Sequence, residues 1–207
     1  MPEPSRQSEN VRWHAGHVSR ERRRALLRQA GCTVWLTGLP ASGKSTIAFA
    51  VERLLVESGH AAYVLDGDNI RHGLCGNLGF SAEDRAENIR RIGEVAKLFA
   101  DAGQIALTSF VSPYRSDRAL VRALHTAASL PFLEVFVDTP VEACETRDPK
   151  GLYRKARAGE ISNFTGVNDP YEPPDAPELT LRTTEMSVED CAERVVELLT
   201  QRGVLDA

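Results

Sequence analysis

A glycine-rich turn near the start of the chain carries the residue types that bind phosphate. It covers residues 38–46 and fits the pattern GxxxxGK[ST]. Gly38 and Gly43 allow a close backbone approach that a Cβ atom would block, so successive N–H groups can point at a polyphosphate. Lys44 adds a positive charge for the β- and γ-phosphates, and the hydroxyl group of Ser45 suits Mg²⁺. We therefore predict a nucleotide-phosphate site.

Apolar segments flank this turn in the order that a phosphate loop requires. Residues 34–36 predict a buried strand before it, and residues 47–51 predict a helix whose N-terminal dipole, near Thr46, points at the anion. A glycine loop without a ligand is the alternative, which this order disfavours. The predicted ATP-binding residues of the loop are Gly38, Leu39, Pro40, Ala41, Ser42, Gly43, Lys44, Ser45 and Thr46.

Two carboxylates follow the next apolar segment. Residues 61–65 predict a strand that leads directly into Asp66 and Asp68. Ligands of open α/β sheets bind at the carboxyl ends of the strands, so one carboxylate can face the metal of the phosphate loop. Phosphoryl transfer needs a residue that orients the hydroxyl group that accepts the phosphoryl group. We expect Asp68 near Mg²⁺ and near this acceptor hydroxyl group, with Asp66 holding the loop or a metal-bound water. A turn stabilised by two aspartates is the alternative.

Alternating strand-like and helix-like segments position these residues. Ser19 caps a predicted basic helix from Arg20 to Gln29. The alternation after it predicts an α/β fold with a parallel sheet flanked by helices. The predicted strands are 33–37, 61–66, 104–109, 132–137 and 179–182, and the predicted helices are 46–58, 83–102, 116–128, 140–147 and 188–202. Two long loops, 67–82 and 148–178, interrupt the pattern, and both combine positive charge with an aromatic residue. We interpret about 148–170 as a mobile lid that excludes water.

Length and charge limit the classes of function. With 207 residues, the chain suits a polar, flexible arm at 1–18 and a single globular domain at 19–207. The net charge of −4 disfavours nucleic acid and anionic membranes as partners. No apolar stretch predicts a membrane span or a signal peptide, and four scattered cysteines indicate reduced thiols. We therefore expect a cytoplasmic protein.

Several further motifs, taken in order, resemble those of the adenylylsulfate kinase (APS kinase) family. The resemblance runs from about Trp13 to the last predicted helix. Its motifs are Asp66–Leu74, Leu78–Ser81, Asp84–Lys97, Ser112–Arg115, Val135–Thr139, Arg147–Tyr153 and Phe164–Gly166. The resemblance implies a P-loop, nucleoside-monophosphate-kinase-like three-layer fold and a homodimer.

The resemblance also implies the reaction and the residues that serve it. Mg²⁺-ATP phosphorylates the 3′-hydroxyl group of adenosine 5′-phosphosulfate (APS), which gives 3′-phosphoadenosine 5′-phosphosulfate and ADP. Arg147 and Met186 are implied at the ATP adenine. Arginines suit the phosphosulfate, and Phe80 and Phe164 can sandwich the adenine of APS. The implied APS-binding residues are Asp68, Arg71, Phe80, Arg85, Asn88, Val111, Ser112, Lys150, Asn163 and Phe164. Arg85 as a helix N-terminal charge, and Phe80 as loop core, are the structural alternatives.

Four residues are expected to perform the catalysis: Lys44, Asp68, Ser112 and Lys150. Ser112 is either a phosphorylated nucleophile, as described for members of the family, or a residue that positions the acceptor. We favour positioning, with direct in-line phosphoryl transfer, because no neighbour in the sequence stands out as its base; Asp68, from another loop, is the one candidate for that role. Lys150 bridges the β- and γ-phosphates or contacts the acceptor.

Two other functions compete with APS kinase. One is a different small-molecule kinase of the same architecture, which predicts loss of the acceptor loops 67–88 and 147–166. The other is a non-catalytic nucleotide-binding module, which predicts loss of Lys44, Ser45 or Asp68. Both loops and all three residues are present.

Overall fold

The computed structural model describes residues 12, 14 and 16–205. Its centre is a five-stranded parallel sheet in the order β2-β3-β1-β4-β5. The central strands β1 and β3 are buried along their whole length, as expected for a parallel sheet covered on both faces. The strands are β1 (Cys32–Thr37), β2 (Ala62–Asp66), β3 (Ile105–Ser109), β4 (Phe132–Asp138) and β5 (Leu179–Arg182).

Helices cover the two faces of this sheet. Helices α2 and α8 pack on one face through apolar side chains such as Ile47, Val51 and Val195, and α4 and α5 pack on the other through Ile92 and Val121. The predicted three-layer α/β fold is therefore confirmed. The helices of the described residues are α1 (Arg20–Leu27), α2 (Lys44–Glu57), α3 (Gly67–Ile70), α4 (Ala82–Asp101), α5 (Arg115–Ala127), α6 (Val141–Arg147), α7 (Leu152–Arg157) and α8 (Val188–Gln201). None of them is long and apolar enough to cross a membrane.

The sequence prediction extended the first helix too far. Helix α1 starts after the Ser19 cap as predicted, but it ends at Leu27 and not at Gln29. Arg28 adopts a left-handed conformation with φ of 53°, which stops the helix. The fully buried Gln29 side chain donates to the carbonyl oxygens of Ala61 and Gly103. A tertiary hydrogen-bond network therefore takes Gln29 out of the helix.

Two short helices lie in segments predicted as loops. Helix α3 forms because the Asp66 carboxylate accepts hydrogen bonds from the backbone N–H groups of Asp68 and Asn69. Helix α7 lies inside the predicted lid and buries Tyr153 and Ala156. The mobility of the lid remains a prediction, and most of the predicted arm 1–18 lies outside the described residues.

A buried ion pair joins the sheet to the loops around the cleft. The Arg118 guanidinium group donates to Glu134 Oε1 over 2.7 Å, and both side chains are under 10% exposed. Its remaining N–H groups donate to the carbonyl oxygens of Ser112 and Glu172, at 2.6 and 2.7 Å. Arg118 therefore fixes the loop after β3 and the segment after the lid to strand β4.

We expect Arg118→Met to lower the free energy of unfolding by about 3 kcal/mol, the low end for a broken buried ion pair. The loss arises because Glu134 keeps only Arg122 as a cationic partner within the described residues, and because two carbonyl oxygens lose this donor. Urea denaturation measures the change. Arg53→Met is the matched control, since Arg53 pairs with Glu57 on the surface, and it should cost at most about 1 kcal/mol. Equal losses in the two variants would contradict this account of Arg118.

Candidate active site

A cleft of about 1280 Å³ opens at the carboxyl edge of the sheet. Its lining comes from the phosphate loop, the loops that follow β2 and β3, and the lid. Every residue that the sequence analysis assigned to a site lines this cleft, apart from three members of the phosphate loop: Gly38, Leu39 and Ser42. The structure thus brings both predicted ligand-binding regions into one cleft.

The phosphate loop has the backbone geometry that its glycines predict. Gly43 is left-handed, with φ of 104°, and immediately precedes α2, which begins at Lys44 and not at Thr46. A Cβ atom at Gly38 would lie 2.6 Å from the carbonyl oxygen of Val137. Both positions therefore need glycine.

The ammonium group of Lys44 is folded back onto its own loop. It donates to the carbonyl oxygens of Gly38 and Leu39, at 2.9 and 2.6 Å. Burial of the group lowers the pKa of Lys44 to about 8, because desolvation disfavours the charged form. A polyphosphate in the cradle would offer this ammonium stronger, charged acceptors.

The two carboxylates after β2 have different surroundings. Asp66 is buried, and its Oδ2 accepts a hydrogen bond from Ser45 Oγ at 2.7 Å, with Ser109 Oγ 3.0 Å from the same hydroxyl group. Asp68 is exposed and forms an ion pair with Lys150 of the lid. The structure therefore places Asp66, and not Asp68, beside the serine of the phosphate loop. The predicted role of Asp68 at the metal remains a prediction.

Ser112 lies at the bottom of the cleft in a strained backbone conformation, with φ of 39°. Its side chain is buried, where Oγ accepts a hydrogen bond from Trp35 Nε1 at 3.1 Å and donates to Thr37 Oγ1 at 2.9 Å. Thr37 in turn lies 3.0 Å from the hydroxyl oxygen of Tyr171. These partners are neutral and hold Ser112 firmly.

Further predicted acceptor residues line the same cleft. The Arg71 guanidinium group lies 4.3 Å from the ring centroid of the exposed Phe80, and Phe164 packs edge-on against Tyr153. Asn88 is buried, and its Oδ1 atom has no hydrogen-bond partner within the described residues. An unpaired buried acceptor of this kind fits a ligand that donates to it.

Arg85 connects helix α4 to the lid. It donates to Asp169 Oδ2 at 2.6 Å, to Thr165 Oγ1 at 3.2 Å and to the carbonyl oxygen of Asn163. The hydroxyl group of Tyr114 contacts the same carboxylate. Sequence reasoning assigned Arg85 but missed Asp169, because nothing in the local pattern shows that the end of the lid returns to α4.

Arg147 and Met186 also line the cleft, and Arg147 contacts the phosphate loop. Arg147 donates to Thr183 Oγ1 at 2.8 Å and to the carbonyl oxygen of Ser42 at 3.2 Å, while Met186 packs against the core. The sequence analysis assigned no site role to Thr183 or to Thr139, which it named only as the end of a family motif. Thr139 bonds to the same Ser42 carbonyl oxygen and to Thr183. Their positions at the ends of β5 and β4 are the signal that could have found them.

A phosphate loop at the carboxyl edge of a parallel sheet, a carboxylate on its serine and a basic lid define a P-loop kinase. The family model described as adenylylsulphate kinase matches residues 30–182. The chain belongs to the adenylylsulfate kinase family.

Individual relatives agree with the family match. The chain is 57% identical to an adenylyl-sulfate kinase of Saccharomyces cerevisiae, over 95% of this chain and 96% of the relative. It is 54% identical to an adenylyl-sulfate kinase of Vibrio vulnificus, over 97% and 96%. A solved structure of Mycobacterium tuberculosis APS kinase in complex with AMPPNP and APS matches with a TM-score of 0.81 and 54% identity, over 83% of this chain and 99% of that one.

The lowered pKa of Lys44 predicts a pH dependence of stability. The pKa is about 8 in the folded protein against an ordinary 10.5. Between these values the unfolded chain binds more protons, so the Lys44 contribution to the free energy of unfolding rises with pH. From about pH 7.5 to about pH 9.5, ligand-free wild type should gain on the order of 1–2 kcal/mol relative to Lys44→Met.

Urea denaturation of both proteins at the two pH values measures this difference. Lys155→Met, on the exposed side of α7, controls for the loss of a lysine as such. A difference between wild type and Lys44→Met that stays constant with pH would contradict the burial of the charge.

Proposed function

We propose that the protein is an ATP:adenylylsulfate 3′-phosphotransferase of sulfate activation. It transfers the γ-phosphoryl group of ATP to the 3′-hydroxyl group of APS. The observation that carries this proposal is that one cleft is lined both by Lys44 and its neighbours in the phosphate loop and by all the predicted acceptor residues. One site can therefore hold a donor and an acceptor nucleotide in line.

Lys44 and Arg147 serve the ATP side in this proposal. When ATP binds, Lys44 turns from the loop carbonyl oxygens to the β- and γ-phosphates, and Arg147, which lines the same cleft, covers the adenine as the family resemblance implies. Ser45 and Asp66 are oxygen donors that fit Mg²⁺, and their oxygen atoms lie 2.7 Å apart. Bound Mg²⁺ neutralises the charge of the transferring phosphates. We therefore propose Asp66, beside Ser45, as the metal-side carboxylate, and we assign Asp68 to the acceptor hydroxyl group, which is the other part of its predicted role.

Asp68 and Lys150 serve the acceptor side. Their ion pair spans the cleft from α3 to the lid. When Lys150 turns to the phosphates of the two nucleotides, the Asp68 carboxylate becomes free to accept a hydrogen bond from the 3′-hydroxyl group and to take its proton. This change of partner by Lys150 couples substrate binding to the activation of the 3′-hydroxyl group by Asp68.

Ser112 has a positioning role in this mechanism. Its hydroxyl group is already bonded to Trp35 and Thr37, and the buried Arg118 holds its carbonyl oxygen. A nucleophile needs a base within hydrogen-bond reach. The surroundings of Ser112 therefore support direct in-line transfer without a phosphoserine intermediate.

Assembly and location are further parts of the proposal. We propose a homodimer, as the family resemblance implies, and a cytoplasmic location, which the four buried and unpaired cysteines support. The division into an arm at 1–18 and one kinase domain at 19–207 is likewise proposed.

APS-dependent release of ADP tests the reaction directly. Wild type should turn over Mg²⁺-ATP with APS, and Lys44→Ala and Asp68→Ala should each lower kcat/KM by at least about 100-fold, because they remove charges used in the transition state. Lys155→Ala should keep wild-type activity. A protein that binds ATP but releases no ADP with APS would contradict the acceptor assignment.

The different surroundings of the two carboxylates predict different defects. Asp66→Asn should raise the Mg²⁺ concentration for half-maximal activity by about tenfold, since it weakens a metal-side oxygen. Asp68→Asn should lower kcat and leave that Mg²⁺ concentration within about twofold, because its task is the acceptor proton. A magnesium titration of the ADP-release rate measures both, and a shifted titration in Asp68→Asn alone would reverse the two roles.

A further inference from the structure

The carbonyl oxygen of Ser42 receives donors from three separate elements. Thr139 Oγ1, just after β4, lies 3.1 Å from it, and Thr183 Oγ1, just after β5, lies 3.2 Å from it. Arg147 Nη1, at the end of α6, completes the set at 3.2 Å. One peptide group of the phosphate loop is thus bonded to three segments that are distant in sequence.

The two threonine hydroxyl groups also bond to each other, with 2.7 Å between their oxygen atoms. Each hydroxyl group has one proton, so one threonine donates to the other and the second donates to Ser42. Thr183 also accepts from Arg147 Nη1 at 2.8 Å. In either arrangement one threonine hydroxyl group donates a hydrogen bond to the Ser42 carbonyl oxygen, and each threonine can replace the other as donor.

This contact fixes the direction of a phosphate-binding N–H group. In a trans peptide the C=O and N–H bonds point in opposite directions, so holding the Ser42 carbonyl oxygen orients the N–H of Gly43. Ser42 is fully buried and does not line the cleft, whereas Gly43 does. Hydrogen bonds to the carbonyl oxygen also polarise the peptide and strengthen its N–H as a donor.

We propose that Thr139 and Thr183 are positioning residues for nucleotide phosphate binding. They hold the Ser42–Gly43 peptide so that the Gly43 N–H group is ready for the phosphate before ATP arrives. Because Gly43 is left-handed and has no side chain to restrain it, the external hydrogen bonds supply that restraint. The inference rests on the proposed function only in naming ATP as the phosphate ligand.

Binding of two ligands to the full chain separates this role from other roles. The probes are AMPPNP and inorganic tripolyphosphate, measured by calorimetry with Mg²⁺ on Thr139→Val, Thr183→Val and the double variant. Each single change should weaken both ligands by about 3-fold, because the second threonine still donates, and the double change by about tenfold or more. Thr139→Ser and Thr183→Ser should restore binding. Thr200→Val, on the exposed side of α8, is the matched control.

Steady-state kinetics and melting give the complementary readout. The double variant should raise KM for ATP and leave kcat and KM for APS within about twofold, since it removes a restraint on the Gly43 N–H group and no group at the acceptor. Unchanged affinity for tripolyphosphate with weaker AMPPNP would overturn the proposal, because Thr183 would then act on the adenosine.

Unchanged affinity for both ligands with a lower melting temperature would also overturn it, since the threonines would then only satisfy a buried carbonyl oxygen. If the double variant does not fold, the partly exposed Thr183→Val carries the same comparison. The tripolyphosphate measurement does not depend on APS, so failure of the proposed reaction in wild type remains distinguishable from failure of this inference.

Discussion

A buried positive charge at Lys44 constrains the whole carboxyl edge of the sheet. Transferring an ammonium group out of water is costly unless oxygen atoms surround it. Here those oxygen atoms are the carbonyl groups of Gly38 and Leu39, so the loop must curl around the side chain. That curl requires Gly38 to pass close to Val137 and Gly43 to be left-handed. The geometry that accommodates the lysine charge is the geometry that leaves the loop ready for phosphate.

The rest of the cleft is held by charges that link distant parts of the chain. Arg118 ties the loop of Ser112 and the segment after the lid to β4, and Arg85 ties the lid to α4 through Asp169. Lys150 adds a third link, to Asp68 in α3, just after β2. Arg118 is deeply buried, whereas the Lys150–Asp68 pair is exposed. Exposed pairs contribute little to stability and break easily, so the Lys150–Asp68 pair is the link suited to the exchange that the proposed reaction requires.

Much of the fold could be predicted from the sequence because its signals are local. The strands after residue 30 and the long helices appear within two residues of their predicted bounds, since apolar runs and helical spacing reflect burial on a parallel sheet. The errors occur where tertiary contacts override local preference. Gln29 lies outside α1 because its side chain donates to the carbonyl oxygens of Ala61 and Gly103. Helix α7 forms in the predicted lid because Tyr153 and Ala156 become buried there.

The sequence alone determined the phosphate loop, the acceptor motifs and the family, because these depend on residue types at fixed short spacing. Only the tertiary structure decided which partner each group takes. Asp66, rather than Asp68, accepts a hydrogen bond from Ser45. The buried Ser112 hydroxyl group is hydrogen-bonded to Trp35 and Thr37. The hydroxyl groups of Thr139 and Thr183 lie within hydrogen-bond distance of the Ser42 carbonyl oxygen. Hydrogen bonds act over about 3 Å, and such proximity between distant segments arises only when the strands align at one edge of the sheet.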